Sequence, residues 1–133
     1  MKHIRLKIKT KTKNYPIIIG PNLISSILKI SNKNSIKFQK CLIIIDRNIS
    51  NKIISKIKKS LSKKETYISF FKANEKNKNI KNINKILDLL LSNNFSRNDC
   101  LISVGGGITG DVSGFAASLY KRGLKFINIP TTL

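Results

Sequence analysis

The fold is decided by the stretch Cys100-Leu-Ile-Ser-Val-Gly-Gly-Gly-Ile-Thr-Gly-Asp111. Residues 100–104 are mostly apolar and predict a buried strand, and the glycines that follow lead directly into a predicted helix. Four of the chain's 7 glycines lie within residues 105–111. Without Cβ atoms in the way, backbone amides can approach a phosphate closely, and the turn is free to adopt positive φ. The stretch therefore predicts a phosphate-binding turn, with a diphosphate as its ligand.

Strands and helices alternate on both sides of this turn. Upstream, apolar strands at 41–45 and 66–71 alternate with helices whose apolar residues recur at helical spacing over 49–61 and 80–90. Downstream, a helix and a strand lead to Pro130-Thr131-Thr132. This alternation is typical of a parallel sheet that helices cover on both faces. Right-handed crossovers then place the carboxyl ends of all the parallel strands along one edge.

The amino-terminal residues predict a separate antiparallel hairpin. Ile4, Leu6 and Ile8 alternate with charged neighbours, and a polar turn separates them from a strand at 15–19. Gly20-Pro21 then predicts the start of a short helix, with the proline in its first turn, where a missing N–H costs nothing. The expected fold class is α/β in one domain over residues 1–133, with a mostly parallel sheet, helices on both faces and this hairpin.

The composition is strongly basic, with a net charge of +20 and a pI near 10.3. Lysine outnumbers arginine 22 to 4, isoleucine outnumbers valine 24 to 2, and there are 15 asparagines against 3 alanines. All three biases favour A/T-rich codons. Selection for nucleic-acid binding enriches arginine and interleaves aromatic residues instead. We therefore expect no specific nucleic-acid partner, and only weak, salt-dependent attraction to polyanions.

Cysteine usage and hydropathy bear on the cellular compartment. Cys41 and Cys100 each lead a predicted buried strand and lack the spacing of a disulfide framework. No apolar run approaches the roughly 20 residues of a membrane span, and no signal peptide is recognisable. The sequence predicts a cytoplasmic protein with no membrane partner.

The turns that follow the predicted strands carry the candidate site residues, and each has a structural alternative. Asp46 is placed to hold a ribose hydroxyl, but an aspartate in a turn also serves as a local cap. Glu75 and Lys78 are placed to hold a second ribose and a phosphate, or they belong to a solvated loop. Asp111 is expected in the first turn of the helix, where it complements the dipole. Arg122 ends that helix, where it also interacts with the dipole.

The run from Val104 to Leu133 resembles the signature of 3-dehydroquinate synthases. Its distinguishing parts are Gly110-Asp-x-x-Gly-Phe-Ala-Ala, Arg122-Gly and Pro130-Thr-Thr-Leu, which separate it from the glycerol and iron-type alcohol dehydrogenases that share a Gly-Gly-Gly turn. Tyr15-Pro16, Asp46-x-Asn48 and Glu75-x-x-Lys78 agree in order. Asn74 stands where the family usually has glycine, and since asparagine tolerates a left-handed conformation, the loop is expected to keep its shape.

The resemblance implies the Rossmann-like, NAD-binding, amino-terminal part of such an enzyme. The residues expected around the adenosine half of NAD are Asp46, Asn48, Ala73, Asn74, Glu75, Lys76, Asn77 and Lys78. Those expected around the diphosphate and nicotinamide are Gly106, Gly107, Ile108, Thr109, Gly110, Asp111, Thr131 and Thr132. Arg122 resembles the arginine that binds the phosphate-bearing end of the sugar-phosphate substrate. The implied reaction converts 3-deoxy-D-arabino-heptulosonate 7-phosphate to 3-dehydroquinate and phosphate, within aromatic amino acid biosynthesis.

The same resemblance implies parts that this sequence does not supply. The family uses a divalent metal, zinc or cobalt, bound by one glutamate and two histidines of a following helical domain, and the full-length enzymes are expected to be homodimers. Here His3 is the single histidine, and a catalytic zinc normally has three protein ligands. We expect a domain truncated at its carboxyl end, without catalytic residues and inactive alone. The alternatives are a non-catalytic remnant that binds NAD, and a basic nucleic-acid-binding protein.

Overall fold

The computed structural model describes residues 2–132 and contains two sheets. The hairpin pairs β1 (Ile4–Lys9) with β2 (Asn14–Ile19) in antiparallel register. The second sheet is entirely parallel, in the order β4-β3-β5-β6. Its strands are β3 (Lys40–Asp46), β4 (Glu65–Phe71), β5 (Cys100–Gly105) and β6 (Lys125–Pro130). The predicted hairpin and the predicted parallel sheet are both confirmed.

Helices cover both faces of the parallel sheet. They are α1 (Ile27–Lys33), α2 (Asn51–Ser60), α3 (Ile80–Ser92) and α4 (Gly107–Leu119). One core layer lies between the sheet and α1 and α2, where Ile43 and Ile45 of β3 meet Ile57. The other lies between the sheet and α3 and α4, where Leu42 meets Leu90. Burial of side chains on both faces explains why the central strands are apolar throughout residues 41–45 and, apart from Ser103, throughout 100–104.

The chain reverses its direction of travel across the sheet between β3 and β5. From β3 it crosses to β4 on one side, then returns past β3 to build β5 and β6 on the other side. Helices α2 and α3 consequently lie on opposite faces. Such a reversal opens a crevice at the carboxyl ends of the two strands, and open α/β sheets bind their ligands there. The expected ligand-binding crevice therefore lies at the carboxyl ends of β3 and β5.

Two helices begin later than the sequence predicts. Pro21 lies in a turn rather than in the first turn of a helix, because Asn22 follows with a positive φ of 58° that no right-handed helix accommodates. A short 3-10 turn at Ile24–Ser26 precedes α1 instead. The second helix begins at Asn51, not at Ile49, because the side chain of Ser50 accepts a hydrogen bond from the Ile53 amide and caps the helix there.

The end of α4 adopts an uncommon backbone. Lys121 and Arg122 have φ values of 44° and 65°, and Gly123 follows at 117°. The remaining positive-φ residues among positions 2–132 are Asn22, Ser35 and Asn94. Within the same described range, no helix is both long and apolar enough to cross a membrane.

Candidate functional site

The glycine turn at the end of β5 lies directly beside the end of β3. A Cβ placed on Gly105 would lie 2.7 Å from Oγ1 of Thr109 and 3.0 Å from Cβ of Asp46. Only a residue without a side chain fits between these two groups. Gly105 is therefore explained by packing, and it brings Asp46 against the start of α4.

The next two glycines face a different environment. A Cβ on Gly106 would lie 3.0 Å from Oγ1 of Thr132, whereas a Cβ on Gly107 would meet no atom within 4 Å. The amide of Thr131 donates a hydrogen bond to the carbonyl of Gly105 at 2.8 Å, which fixes the end of β6 beside the turn. Thr131 and Thr132 thus border the glycine turn, and the space above Gly107 is open for a ligand.

Helix α4 presents unpaired amides to that space. Gly106 is its N-cap and has no side chain to accept a hydrogen bond, and the first intrahelical bond runs from the Gly110 amide to the Gly106 carbonyl at 3.1 Å. The amides of Gly107, Ile108 and Thr109 precede that bond and have no partner within the helix. Together with the positive end of the helix dipole, they favour an anion such as a diphosphate.

An ion pair joins the loop after β4 to α4. Nζ of Lys78 donates to Oδ2 of Asp111 at 2.9 Å, although the residues lie far apart in sequence. The hydrogen bond to Asp111 and its negative charge raise the pKa of Lys78. The sequence predicts Asp111 in the first turn of the helix, and this prediction is wrong. Helix α4 already begins at Gly107, so Asp111 lies beyond its first turn. Its role in the structure is to hold Lys78 beside the glycine turn rather than to cap the helix.

Asparagine side chains shape the loop after β4. Asn74 has an extended backbone, with φ −154°, and its side chain accepts from the Asn77 amide at 2.8 Å. Asn74 does not use the left-handed conformation that asparagine tolerates; it caps a 3-10 turn at Glu75–Asn77 instead. Asn77 donates to the Lys72 carbonyl and Asn82 to the Asn77 carbonyl, each at 2.8 Å. These side-chain amides give the loop its form.

Asp46 makes the local contact that its structural alternative predicted. Its Oδ1 accepts from the Asn48 amide at 3.1 Å, and its carbonyl accepts from the Ile49 amide at 3.0 Å. Because this turn uses one carboxylate oxygen, the side chain retains acceptor capacity for a hydroxyl donor. Glu75 is exposed on the neighbouring loop. Two carboxylates consequently lie at the carboxyl ends of adjacent strands, β3 and β4.

The remaining candidates divide into those near the cluster and one that is remote. Ala73 and Lys76 lie in the loop after β4, the first half-buried and the second exposed. Arg122 lies beyond the carboxyl end of α4, which at about 1.5 Å per residue places it roughly 20 Å from the glycine turn. It is exposed in the positive-φ turn. Arg122 is therefore not part of the cluster at the strand ends.

Of three buried hydroxyl groups near the turn, sequence reasoning named Thr109 and missed Ser103 and Ser113. Ser103, Thr109 and Ser113 are fully buried, and within residues 2–132 their hydroxyls have no hydrogen-bond partner. A Cβ on Gly110 would lie 3.1 Å from Oδ1 of Asn128, so this side chain of β6 packs against α4. The signal was Ser103 within an apolar strand, in register with Asn128.

Metal-binding side chains do not come together in the described part of the chain. Among residues 2–132 no group of three or more histidine, cysteine, aspartate or glutamate side chains is close enough to hold an ion. Nε2 of His3 lies 2.9 Å from the carbonyl oxygen of Pro21, away from the glycine turn. Both cysteines are buried, and burial raises the pKa of Cys41 to about 11.

Comparisons with known proteins find relatives of this chain in both sequence and fold. The chain is 55% identical over 130 residues to the 3-dehydroquinate synthase of Pelagibacter ubique, a match that covers 98% of this chain and 35% of that protein. A solved structure of 2-deoxy-scyllo-inosose synthase, complexed with carbaglucose-6-phosphate, NAD+ and Co2+, superposes with a TM-score of 0.86 at 22% identity, covering 97% of this chain and 35% of that one. The 2-epi-5-epi-valiolone synthase of Streptomyces hygroscopicus, with NAD+ and Zn2+ bound, gives a TM-score of 0.76 at 23% identity, covering 94% and 34%.

The two structural matches establish a shared fold, whereas the sequence matches identify the family. The chain spans about a third of the length of the curated relatives it matches, with 35% of the first. The family model described as the amino-terminal part of 3-dehydroquinate synthase matches residues 68–133, which include the loop after β4, the glycine turn and β6. On these matches, the chain belongs to the 3-dehydroquinate synthase family and corresponds to the amino-terminal part of its members.

Proposed function

We propose that this chain is the NAD-binding part of a 3-dehydroquinate synthase. The observation that carries the proposal is the open space above Gly107, bordered by the unpaired amides of α4 and lying where the sheet reverses. A diphosphate fits there because the amides donate to it and no Cβ occupies its volume. NAD+ bound in the 2-deoxy-scyllo-inosose synthase of the same fold supports the choice of dinucleotide.

Residues at the ends of different strands would bind different parts of NAD. Asp46 and Glu75 would accept hydrogen bonds from ribose hydroxyls, because a carboxylate at the end of a parallel strand is suited to that role. Lys78, held by Asp111, would face the diphosphate with its charge. Thr131 and Thr132 would border the nicotinamide half. Asn48, Ala73, Lys76 and Asn77 would complete the adenosine side through the turns that carry them.

The reaction proposed for the whole enzyme is the conversion of 3-deoxy-D-arabino-heptulosonate 7-phosphate to 3-dehydroquinate and phosphate. NAD, when bound, would supply a transient oxidation that acidifies the neighbouring proton and is reversed after phosphate leaves. The task of the residues described here is to bind and orient that cofactor. Arg122 would act separately, on the phosphate-bearing end of the substrate.

The divalent metal implied by the resemblance finds no three-ligand group among residues 2–132. We therefore assign these residues no metal role, and we propose that the chain alone does not turn over substrate. A phosphate-release assay tests this, with the chain alone and then mixed with a carboxyl-terminal fragment of a relative. Activity of the chain alone would contradict the proposal, and activity restored by mixing would exclude a non-catalytic remnant.

Calorimetric titration with NAD tests the cofactor site. Gly107→Val places a side chain in the open space, where a Cβ would meet no packed neighbour within 4 Å, so we expect binding to be largely lost while the fold persists. Ser118→Val is the matched control, because it adds the same side chain at an exposed position on the same helix. Unchanged NAD affinity in Gly107→Val would remove the glycine turn from the site. We also propose that the full-length protein is a homodimer in the cytoplasm.

A further inference from the structure

A groove lies at the edge of the parallel sheet opposite the glycine turn. It runs between the end of α1 and the amino-terminal ends of β3 and β4, and its volume is about 580 Å³. Since β3 has 7 residues at about 3.3 Å each, roughly 20 Å separates this groove from Asp46. We name it the lysine groove, and its lining residues are Asn32, Lys33, Lys37, Phe38, Gln39 and Lys64.

Lysines line this groove, and no carboxylate of residues 2–132 joins them. Glu65 follows Lys64 directly in the sequence, but its Oε1 accepts from the Tyr67 hydroxyl at 2.7 Å. The Tyr67 ring packs on the sheet face that α3 covers, away from the groove. Asp99 precedes β5 at the same edge, and its Oδ2 accepts from the Ser96 amide at 2.6 Å. The positive charge of the lysine groove is therefore not neutralised within the described part of the chain.

Other lysines at this edge have structural partners. Nζ of Lys40 donates to the Asn93 carbonyl at 2.5 Å, where it satisfies the end of α3. Nζ of Lys125 donates to the Lys37 carbonyl. The side chains of Lys33 and Lys37, by contrast, are exposed and form neither a hydrogen bond nor an ion pair with any residue of the described range. Their ammonium groups are therefore free to bind an anion.

The neutral lining residues favour phosphate over a nucleobase. The ammonium of Lys64 lies 5.8 Å from the centre of the Phe38 ring and 3.4 Å from Oε1 of Gln39. Because the Phe38 ring is 5% exposed and faces this ammonium, the groove offers no aromatic surface on which a base could stack. The side-chain amides of Asn32 and Gln39 are donors that suit phosphate oxygens.

We propose that the lysine groove binds a small molecule that carries two or more phosphate groups and no nucleobase. Cations around one groove repel one another when no carboxylate lies between them, and a polyphosphate removes that repulsion while it accepts charge-assisted hydrogen bonds. The dipole of α1 accounts for Lys33, in its last turn, but not for Lys37 or Lys64. The groove is separate from the cofactor site, so this proposal goes beyond the proposed function and does not depend on it.

Titration with inorganic tripolyphosphate at physiological salt, followed by two-dimensional NMR of the backbone amides, tests the proposal. We expect saturable shifts at Lys37, Gln39 and Lys64, whatever happens at the glycine turn. Fructose 1,6-bisphosphate is the second probe, and the tighter of the two shows whether the ligand is an inorganic or a sugar phosphate. Inorganic phosphate should bind more weakly than both, because it reaches fewer ammonium groups. Shifts confined to residues 105–111, shifts that do not saturate, or equal affinity for inorganic phosphate overturn the proposal.

Paired substitutions separate the groove from the charge of the whole protein. Lys33→Gln with Lys37→Gln removes two charges from the groove and leaves Lys64 beside its ring. Affinity for tripolyphosphate should fall about tenfold, since each exposed ion pair contributes up to about fivefold. Lys29→Gln with Lys56→Gln is the matched control, because it removes two charges from exposed positions of α1 and α2 outside the groove. Its affinity should stay nearly unchanged, because salt screens distant charges. Equal losses in both pairs, or no loss in the groove pair, would leave only attraction to the net charge and contradict the proposal.

Discussion

Replacing Gly105 with alanine should destabilise the fold, although alanine is ordinarily the better residue. The new Cβ would lie 2.7 Å from Oγ1 and 2.9 Å from Cβ of Thr109, and 3.0 Å from Cβ of Asp46. Thr109 is fully buried, so it has no free space into which to move. Overpacking of this kind costs about 1–3 kcal/mol. That loss is a large part of the 5–15 kcal/mol typical of a small domain.

Urea unfolding followed by far-ultraviolet circular dichroism measures the effect. Gly107→Ala is the matched control, because its Cβ meets nothing within 4 Å and it lies in the first turn of α4. We expect its free energy of unfolding to equal or exceed that of the wild type, since alanine favours helix by up to about 1 kcal/mol over glycine. Gly105→Ala as stable as the wild type, or both variants equally destabilised, would refute the assignment of Gly105 to packing and Gly107 to the ligand.

Four further outcomes are expected. Asp111→Asn should lower the pKa of Lys78, measured by NMR titration of its ammonium group; because that pKa is raised in the folded state, any stability from the pair is present below the ordinary value of 10.5 and lost as the pH rises through the folded value. Arg122→Ala should leave the affinity for NAD unchanged by calorimetry, because this residue lies at the far end of α4. Cys41 and Cys100 should resist alkylation until the chain unfolds, because burial raises the pKa of both thiols. DNA binding should be non-specific and disappear between low and physiological salt in filter-binding assays, because it rests on counterion release.

The parallel sheet was predictable because its strands are buried on both faces. Residues 41–45 and 100–104 lack the alternation of a half-exposed strand, and only two-sided burial explains that. The gathering of Asp46, the glycine turn and Thr131 at one edge followed from parallel strands and right-handed crossovers. Whether these residues bind NAD remains a prediction.

The strand order was not predictable, because it depends on contacts between distant residues rather than on local periodicity. The ion pair between Lys78 and Asp111 was not predictable for the same reason. Nothing in either local sequence indicates that the loop after β4 meets helix α4. Predictions of local structure were wrong where side-chain hydrogen bonds compete with those of the backbone. Ser50 delays the start of α2, and Asn74 caps a turn in place of a glycine.

The positive-φ residues show where this chain carries backbone strain that glycine would avoid. Of the six such residues between positions 2 and 132, only Gly123 is glycine, and the others include Lys121 and Arg122. A left-handed conformation costs most L-residues about 1–2 kcal/mol, and asparagine less. The chain therefore tolerates strain at five described positions where glycine would be accommodated more easily. The glycines at 105–107 serve other ends, since Gly105 leaves no room for a side chain and Gly107 borders the space that is open for a ligand.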